Sequence, residues 1–342
     1  MSNENDVGVV CCYFNPCHYK TKLINYKKFY NSIEGSKIDL LTVELAIGDD
    51  DFEISDIPNV IKVRSKSILW HKERLLNIGI KELIEKGYKK ICWLDADVKF
   101  EEKEWLKNIS DELENHMVCR VFTDAIKEGQ QTPPTAGLGW AARSELFEKI
   151  ELYDKGIIGG GDTLNAFAFG GDILDAFTFH ISLEEHLKKI LSEEMLIHHN
   201  KWVKKCSNIV NGDVGFAKNN ISSFYHGHIN DRSFKYRPTI LTYFKFNPEQ
   251  DIKLNEYDCY EWATEKPNMH RRVKEYFINR REDISQEKYF INRKKETAQN
   301  FYKSQNFYLQ CKTCNHKIQN FKEWFDNNQK CSCGSVIVDV KS

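Results

Sequence analysis

The sequence predicts an α/β fold: a mixed, mostly parallel sheet with helices on both faces, followed by a helical extension and a small metal-stapled module. Three observations carry this. Short apolar, β-branched runs alternate with longer helical stretches through the first 150 residues, the pattern of parallel β-α-β units. Several of these runs stop at acidic or glycine-containing turns, as strands feeding a ligand-binding edge do. The last forty residues hold two closely spaced cysteine pairs, which read as a metal site.

The elements follow in order. Residues 7–14, VGVVCCYF, suit a buried first strand ended by Asn15-Pro16. A polar helical stretch covers about 19–33. Residues 38–47 form a second strand, stopped by Gly48-Asp49-Asp50-Asp51, and residues 60–64 a short third. Ser67 is a candidate cap for a helix running to Gly87, its C-terminal stop, with Leu76, Ile80, Leu83 and Ile84 as its apolar stripe. A strand from Ile91 then meets Asp95-Ala96-Asp97. Residues 118–123 read as another strand, and 136–147 as a strand passing into a helix. After about residue 246 the texture changes. Between 266 and 304 eleven Lys or Arg face five Asp or Glu. Tyr276–Arg280 recurs as Tyr289–Arg293. Thirteen residues place the copies on different helix faces, so two shorter helices, or one broken near Ile284-Ser285, are expected. The expected domains are 1–245, a basic helical linker 246–305, and a cysteine module 306–342.

Composition excludes little. The 342 residues are 41% hydrophobic and 29% charged with a formal net charge of −1, giving the whole chain no pull toward nucleic acid or membrane. No run of 18 apolar residues and no basic-then-apolar leader occurs, so a cytoplasmic protein is expected. The seven cysteines outside the C-terminal cluster read as small buried hydrophobes of a reducing compartment.

Five segments bear on chemistry. Asp95 and Asp97, two apart at a strand end, share one face if the strand continues. Paired carboxylates repel unless a cation lies between them, and hard oxygen donors suit Mg or Mn; a solvated turn is the plainer alternative. Gly159-Gly160-Gly161-Asp162 lets a backbone approach a ligand, with Asp162 a candidate base or acceptor-hydroxyl contact, or simply a helix cap. Tyr225-His226-Gly227-His228 offers an imidazole to complete an Asp/Asp/His metal shell. The following Arg232, Lys235 and Arg237 could neutralise a diphosphate, or form a solvated basic turn. In addition, Trp70-His71-Lys72-Glu73-Arg74 lies at a helix start, where phosphate is favoured, unless it is a salt-bridged helix face.

Taken in order, WHKERLLNIGI, ICWLDADVKF, GLGWAARSELF, GGGDTLNAFAFGG and YHGHINDRSFKYR resemble nucleotide-sugar glycosyltransferases of the GT-A fold, in the arrangement of bacteriophage and large-virus enzymes. The resemblance spans about residues 7–240. It implies that Asp95 and Asp97 are the DxD motif binding Mn or Mg and a UDP-sugar, with His226 a further ligand and Asp162 the base. It also places Tyr13, Asn15, Arg74, Arg232 and Lys235 around the donor, with base and ribose near Tyr13 and Asn15. Trp140 stacks on a sugar or, more simply, fills the core. The acceptor it suggests is a hydroxymethylated DNA base of a viral genome, in the host cytoplasm; a protein or glycan acceptor is the alternative. Paired aspartates also serve nucleotidyltransferases, which leave the glycine-acid and histidine segments without a place.

Cys311-x-x-Cys314 and Cys331-x-Cys333, sixteen residues apart, have the spacing of a four-cysteine structural zinc ribbon, with His316 a rival ligand. A module this small needs such a staple. With the basic stretch before it, the ribbon also supports a different class of function, a non-catalytic nucleic-acid-binding protein.

Overall fold

The computed structural model describes residues 6–34, 38–127, 130–132, 136–170, 187–188, 190–233, 237–285, 288, 308–315, 317–318, 330–331, 333 and 338–341. They fall into two compact units, Met1–Asp283 and Ile284–Ser342.

In the first unit the strands are β1 (Val7–Phe14), β2 (Leu40–Ile47), β3 (Val60–Ser65), β4 (Lys90–Leu94), β5 (Val98–Phe100), β6 (Val118–Arg120), β7 (Asp124–Lys127), β8 (Gln130–Thr132), β9 (Gly139–Arg143), β10 (Val214–Phe216), β11 (Asn220–Ser223), β12 (Ile252–Leu254) and β13 (Tyr260–Trp262). The helices are α1 (Lys20–Glu34), α2 (Lys72–Glu85), α3 (Trp105–Asn115), α4 (Ser144–Phe147), α5 (Gly161–Phe169), α6 (Glu193–Val210), α7 (Arg237–Tyr243) and α8 (Pro267–Asn279). The main sheet runs β10-β6-β9-β4-β1-β2-β3. All its pairings are parallel except those of β9, which lies antiparallel between β4 and β6. This is the mixed, mostly parallel α/β architecture expected.

Strand alternation builds two cores. Val10, Ile91 and Trp93 face one, which receives Leu75, Leu76, Ile80 and Leu83 of α2. Val9, Cys11, Cys92 and Leu94 face the other, with Tyr26, Phe29 and Ile33 of α1 and Ile109 and Leu113 of α3. Helices therefore cover both faces. Gly79 lets α2 close on the sheet, because a Cβ there would collide with Val10 and Val43.

Three local expectations change. Helix α2 starts at Lys72, with His71 at the cap position. Ser67 instead accepts the Trp262 N–H at 3.1 Å, so the helix cannot begin until that tie is left behind. Strand β6 stops at Arg120, after which residues 121–123 leave the ladder. The linker is not purely helical: β12 and β13 form an antiparallel hairpin before α8. Phe246, Ile252, Tyr260, Met269, Val273 and Phe277 also belong to the same apolar core as α2. Helix α8 ends at Asn279; the second copy of the repeat, 289–293, lies outside the described residues.

In the second unit β14 (Tyr308–Cys311) pairs antiparallel with β15 (Lys317–Ile318) and β16 (Val338–Lys341). His316 is outside the described residues.

Candidate functional site

A cavity of about 860 Å³ opens at the carboxyl ends of β1 and β4. That is the edge where parallel sheets bind ligands, and the size suits a small-molecule site. The first turns of α2 and α5 border it through Lys72, Gly160 and Asp162.

Strand β4 ends at Leu94, and Asp95–Asp97 turn. Alternation therefore no longer fixes the two carboxylates on one face, and each takes its own partner. Asp95 accepts the Leu138 N–H at 3.0 Å and pairs with the Lys72 ammonium. Leu138 holds φ +83°, an uncommon conformation for a branched residue at a cavity wall. Asp97 has a different partner, its Oδ2 3.0 Å from His226 Nε2. Burial alone would raise Asp97, but His226, Arg232 and Lys22 hold it down at about 2.

Lys72 reaches both oxygens of Asp162 at 2.8 Å. Burial disfavours its charge, yet Asp162, Asp95 and Glu73 hold the ammonium well above the ordinary lysine range. Asp162 sits in the first turn of α5, where the helix dipole favours a carboxylate. The cap position belongs to Gly160, in the left-handed region at φ +97°. Beneath, Gly161 packs so tightly on Glu73 that any side chain would strike its carboxyl. Burial first, then Asp162, pushes Glu73 up to about 8.

The segment after His226 closes one side. Asn25 of α1 donates to the Tyr225 carbonyl at 2.9 Å. Gly227, at φ +84°, lies against the backbone of Arg280–Glu282. Arg237 and Arg280 each donate to the Tyr276 hydroxyl at 2.8 Å, and Arg280 lies over the Trp70 ring. Arg237 also reaches the glycine turn at Gly159.

The structure thus brings Tyr13, Asp95, Asp97, Asp162, His226 and Arg232 to one cavity. Asn15 borders a small adjoining recess, where its amide and the Tyr13 hydroxyl meet Glu53. Arg74 does not line the cavity; its guanidinium meets Glu151 at 3.0 Å and Asp154 at 3.2 Å. Lys235 lies outside the described residues. Trp140 is a core residue, 2% exposed, its indole N–H bonded to the Ala136 carbonyl. Lys72 and Glu73 were within the WHKER segment, but only a charged helix start pointed to them. Arg280 and Glu282 line the cavity from the basic extension, where no motif flagged them.

Among the described residues one cluster gathers three or more metal-ligating side chains: Cys311, Cys314, Cys331 and Cys333, with ligand atoms within 4.8 Å of one another. Cys311 and Cys333 sulfurs are 3.6 Å apart, as are those of Cys314 and Cys331. A tetrahedral zinc with ~2.3 Å bonds needs sulfurs ~3.8 Å apart, so the knuckles fit that ion. The backbone N–H of Cys314, with that of Thr313, lowers the Cys311 thiol to about 6, which favours the ligating thiolate. Asp95, Asp97 and His226 do not form such a cluster because Asp95 is engaged by Lys72. Asp97 and His226 alone fit a Mn or Mg ion that keeps open positions for phosphate oxygens and water.

No protein-family model matches the chain, and no curated protein matches it. Among solved structures, glucosyl-3-phosphoglycerate synthase from Mycobacterium tuberculosis, in complex with Mg2+ and UDP, is similar over 75% of this chain and 86% of its own, with 12% identity and a TM-score of 0.39. A glycosyltransferase involved in glycosylation of the major capsid of PBCV-1 is similar over 42% of this chain and 61% of its own, with 16% identity and a TM-score of 0.25. Among the described residues no helix is long and apolar enough to cross a membrane.

Proposed function

We propose that the unit ending at Asp283 is a metal-dependent glycosyltransferase that moves a sugar from a UDP-sugar to a hydroxyl acceptor. The observation that carries this is the placement of Asp97 and His226 opposite Lys72 and Asp162 around one cavity, at two helix N-termini. It joins the DxD, glycine-acid and histidine segments that the sequence resemblance singled out.

In this reading Asp97 and His226 hold a Mn or Mg ion, which when bound supplies Lewis-acid stabilisation of the leaving diphosphate. Arg232, Arg237 and the N-terminus of α2 share that negative charge. Lys72 holds the Asp95 and Asp162 carboxylates in place. In an inverting transfer Asp162 orients the acceptor hydroxyl and accepts its proton as the new glycosidic bond forms and the sugar–diphosphate bond breaks; a retaining transfer needs another assignment. Tyr13, Asn15 and Glu53 receive the nucleoside, with Glu53 accepting an N–H of the base. The four cysteines hold a structural zinc. A hydroxymethylated DNA base remains the acceptor proposed, and the domain division at 245 and 305 a proposal beside it.

The test is UDP release from several UDP-sugars with Mn, followed by intact-mass measurement of hydroxymethylated DNA, protein and glycan acceptors. A mass increment identifies sugar and acceptor together. A folded chain that neither binds UDP nor turns over any UDP-sugar overturns the proposal. Salt-sensitive DNA binding without turnover then favours the non-catalytic reading.

A further inference from the structure

We propose that Glu282, contributed by the segment after α8, is a positioning residue that fixes the His226 imidazole for metal binding through Nε2. The inference rests on the metal reading of Asp97 and His226 given above.

The His226 ring lies between two carboxylates. Its Nε2 faces Asp97 at 3.0 Å, and its Nδ1 faces Glu282 Oε2 at 3.9 Å. A histidine that ligates through Nε2 must carry its proton on Nδ1, and a carboxylate facing Nδ1 both selects that tautomer and sets the ring's orientation. Glu282 is placed for this role. It is 1% exposed. One oxygen is taken by Arg280 Nε at 2.5 Å. The other is buried and has no hydrogen-bond partner among the described residues. A buried carboxylate oxygen left without a donor is costly, and the His226 Nδ1 position faces it. Closing the gap to the ~2.8 Å of a charge-assisted bond takes about 1 Å of ring movement.

The carboxylate is also held still. Asp283 accepts the N–H groups of Lys20 and Thr21 at 3.1 and 2.8 Å, at the start of α1. The Tyr19 hydroxyl meets the Phe277 and Ile278 carbonyls at 2.8 Å and the Arg281 N–H at 3.1 Å. The same helix holds the Tyr225 carbonyl through Asn25. A Cβ on Gly227 would come within 2.9 Å of the Glu282 Cα. Both sides of the His226–Glu282 contact are therefore tied to α1, which holds the imidazole and the carboxylate facing each other.

A purely structural Glu282 would serve only its ion pair with Arg280. Two variants of the full chain separate the roles. Glu282→Gln removes the charge facing His226; Leu113→Ala, a core truncation in α3 outside the cavity lining, lowers stability and leaves that charge and its Arg280 partner in place. Mn2+ affinity is measured by titration with UDP present, alongside thermal unfolding. Glu282→Gln is expected to bind Mn2+ about 10–100-fold more weakly, while Leu113→Ala, at similar loss of thermal stability, keeps its Mn2+ affinity. Equal Mn2+ affinity in Glu282→Gln and wild type, with Asp97→Ala abolishing it, overturns the role of Glu282 alone. A wild-type chain that binds no Mn2+ overturns the metal reading with it. Should Glu282→Gln not fold, 15N spectra of the wild-type chain loaded with Mg2+ and UDP decide. A His226 Nδ1 proton protected from water exchange supports the proposal; one exchanging as freely as an exposed imidazole's refutes it.

Discussion

Replacing Lys72 with methionine tests whether the cavity is held open by one buried cation. The Lys72 side chain is 10% exposed, and its ammonium lies 2.8 Å from Asp162 and against Asp95. At an effective dielectric of about 20, each contact near 3 Å is worth about 5 kcal/mol of attraction. Desolvation of the ammonium cancels several kcal/mol of this. The net cost of removing one partner from such a cluster is about 3–5 kcal/mol, because the carboxylates are left facing each other. Asp162→Asn alone leaves Lys72 with Asp95 and costs less. The double variant Lys72→Met/Asp162→Asn carries one carboxylate fewer into the same space, so it recovers part of the loss.

Urea unfolding of wild type, both single variants and the double variant at pH 7 measures these terms in one cycle. A coupling energy of about 2 kcal/mol or more is expected, within the range for residues in direct contact. Strictly additive losses, or a Lys72→Met variant as stable as wild type, would refute the account of a charge cluster organised by Lys72.

Further outcomes follow from the same geometry. Asp97→Ala should abolish Mn-dependent UDP binding without unfolding the chain, read by calorimetry and circular dichroism. Burial and Asp162 raise Glu73 from 4.5 to about 8. The folded chain therefore binds this proton more tightly than the unfolded one, and the stabilisation is complete below pH 4.5 and lost as pH rises through 8. Glu73→Gln should remove that slope, a difference of up to ~5 kcal/mol, measured by urea unfolding from pH 5 to 9; parallel curves would refute it. Asp162→Asn should lower kcat by about 10²–10⁴-fold if the carboxylate takes the acceptor's proton, with UDP affinity retained. Zinc released on thiol modification should amount to one ion per chain by a colorimetric chelator, and Cys331→Ser should abolish it; a chain purified and refolded with zinc that holds none would refute the four-thiolate site.

The sheet was legible because its signals are local. Residues 7–14, 40–47 and 90–94 are short, largely apolar runs bounded by turn residues, too short for buried helices, and α1 falls within a residue of its expected bounds. Where the reading slipped, a distant residue decided the outcome. Ser67 looks like a cap, but Trp262, almost two hundred residues on, claims its hydroxyl. Asp95 and Asp97 follow the end of the strand at Leu94, and Lys72 and His226 are the partners that decide where each carboxylate is held.

The same reasoning explains why the sequence motifs mark only half of the cavity. Asp97, Asp162 and His226 sit in short segments whose glycines and paired charges advertise a ligand. Glu282 and Arg280 sit in a basic stretch whose composition reads as solvated helix, and their relevance comes solely from Tyr19, Asn25 and Gly227 pulling that stretch against the start of α1. A side chain that orients a ligand needs no glycine and no matched neighbour in sequence; it needs a rigid path back to the group it orients. Here that path runs from Asp283 through the first turn of α1 to Tyr225, and it makes the segment after α8 part of the cavity wall in the first unit. Truncation at residue 245 should therefore weaken Mn2+ binding even though every motif residue remains, whereas a chain ending after Asp283 should keep it. A 1–245 fragment that folds and binds Mn2+ as the full chain does would remove the extension from the site.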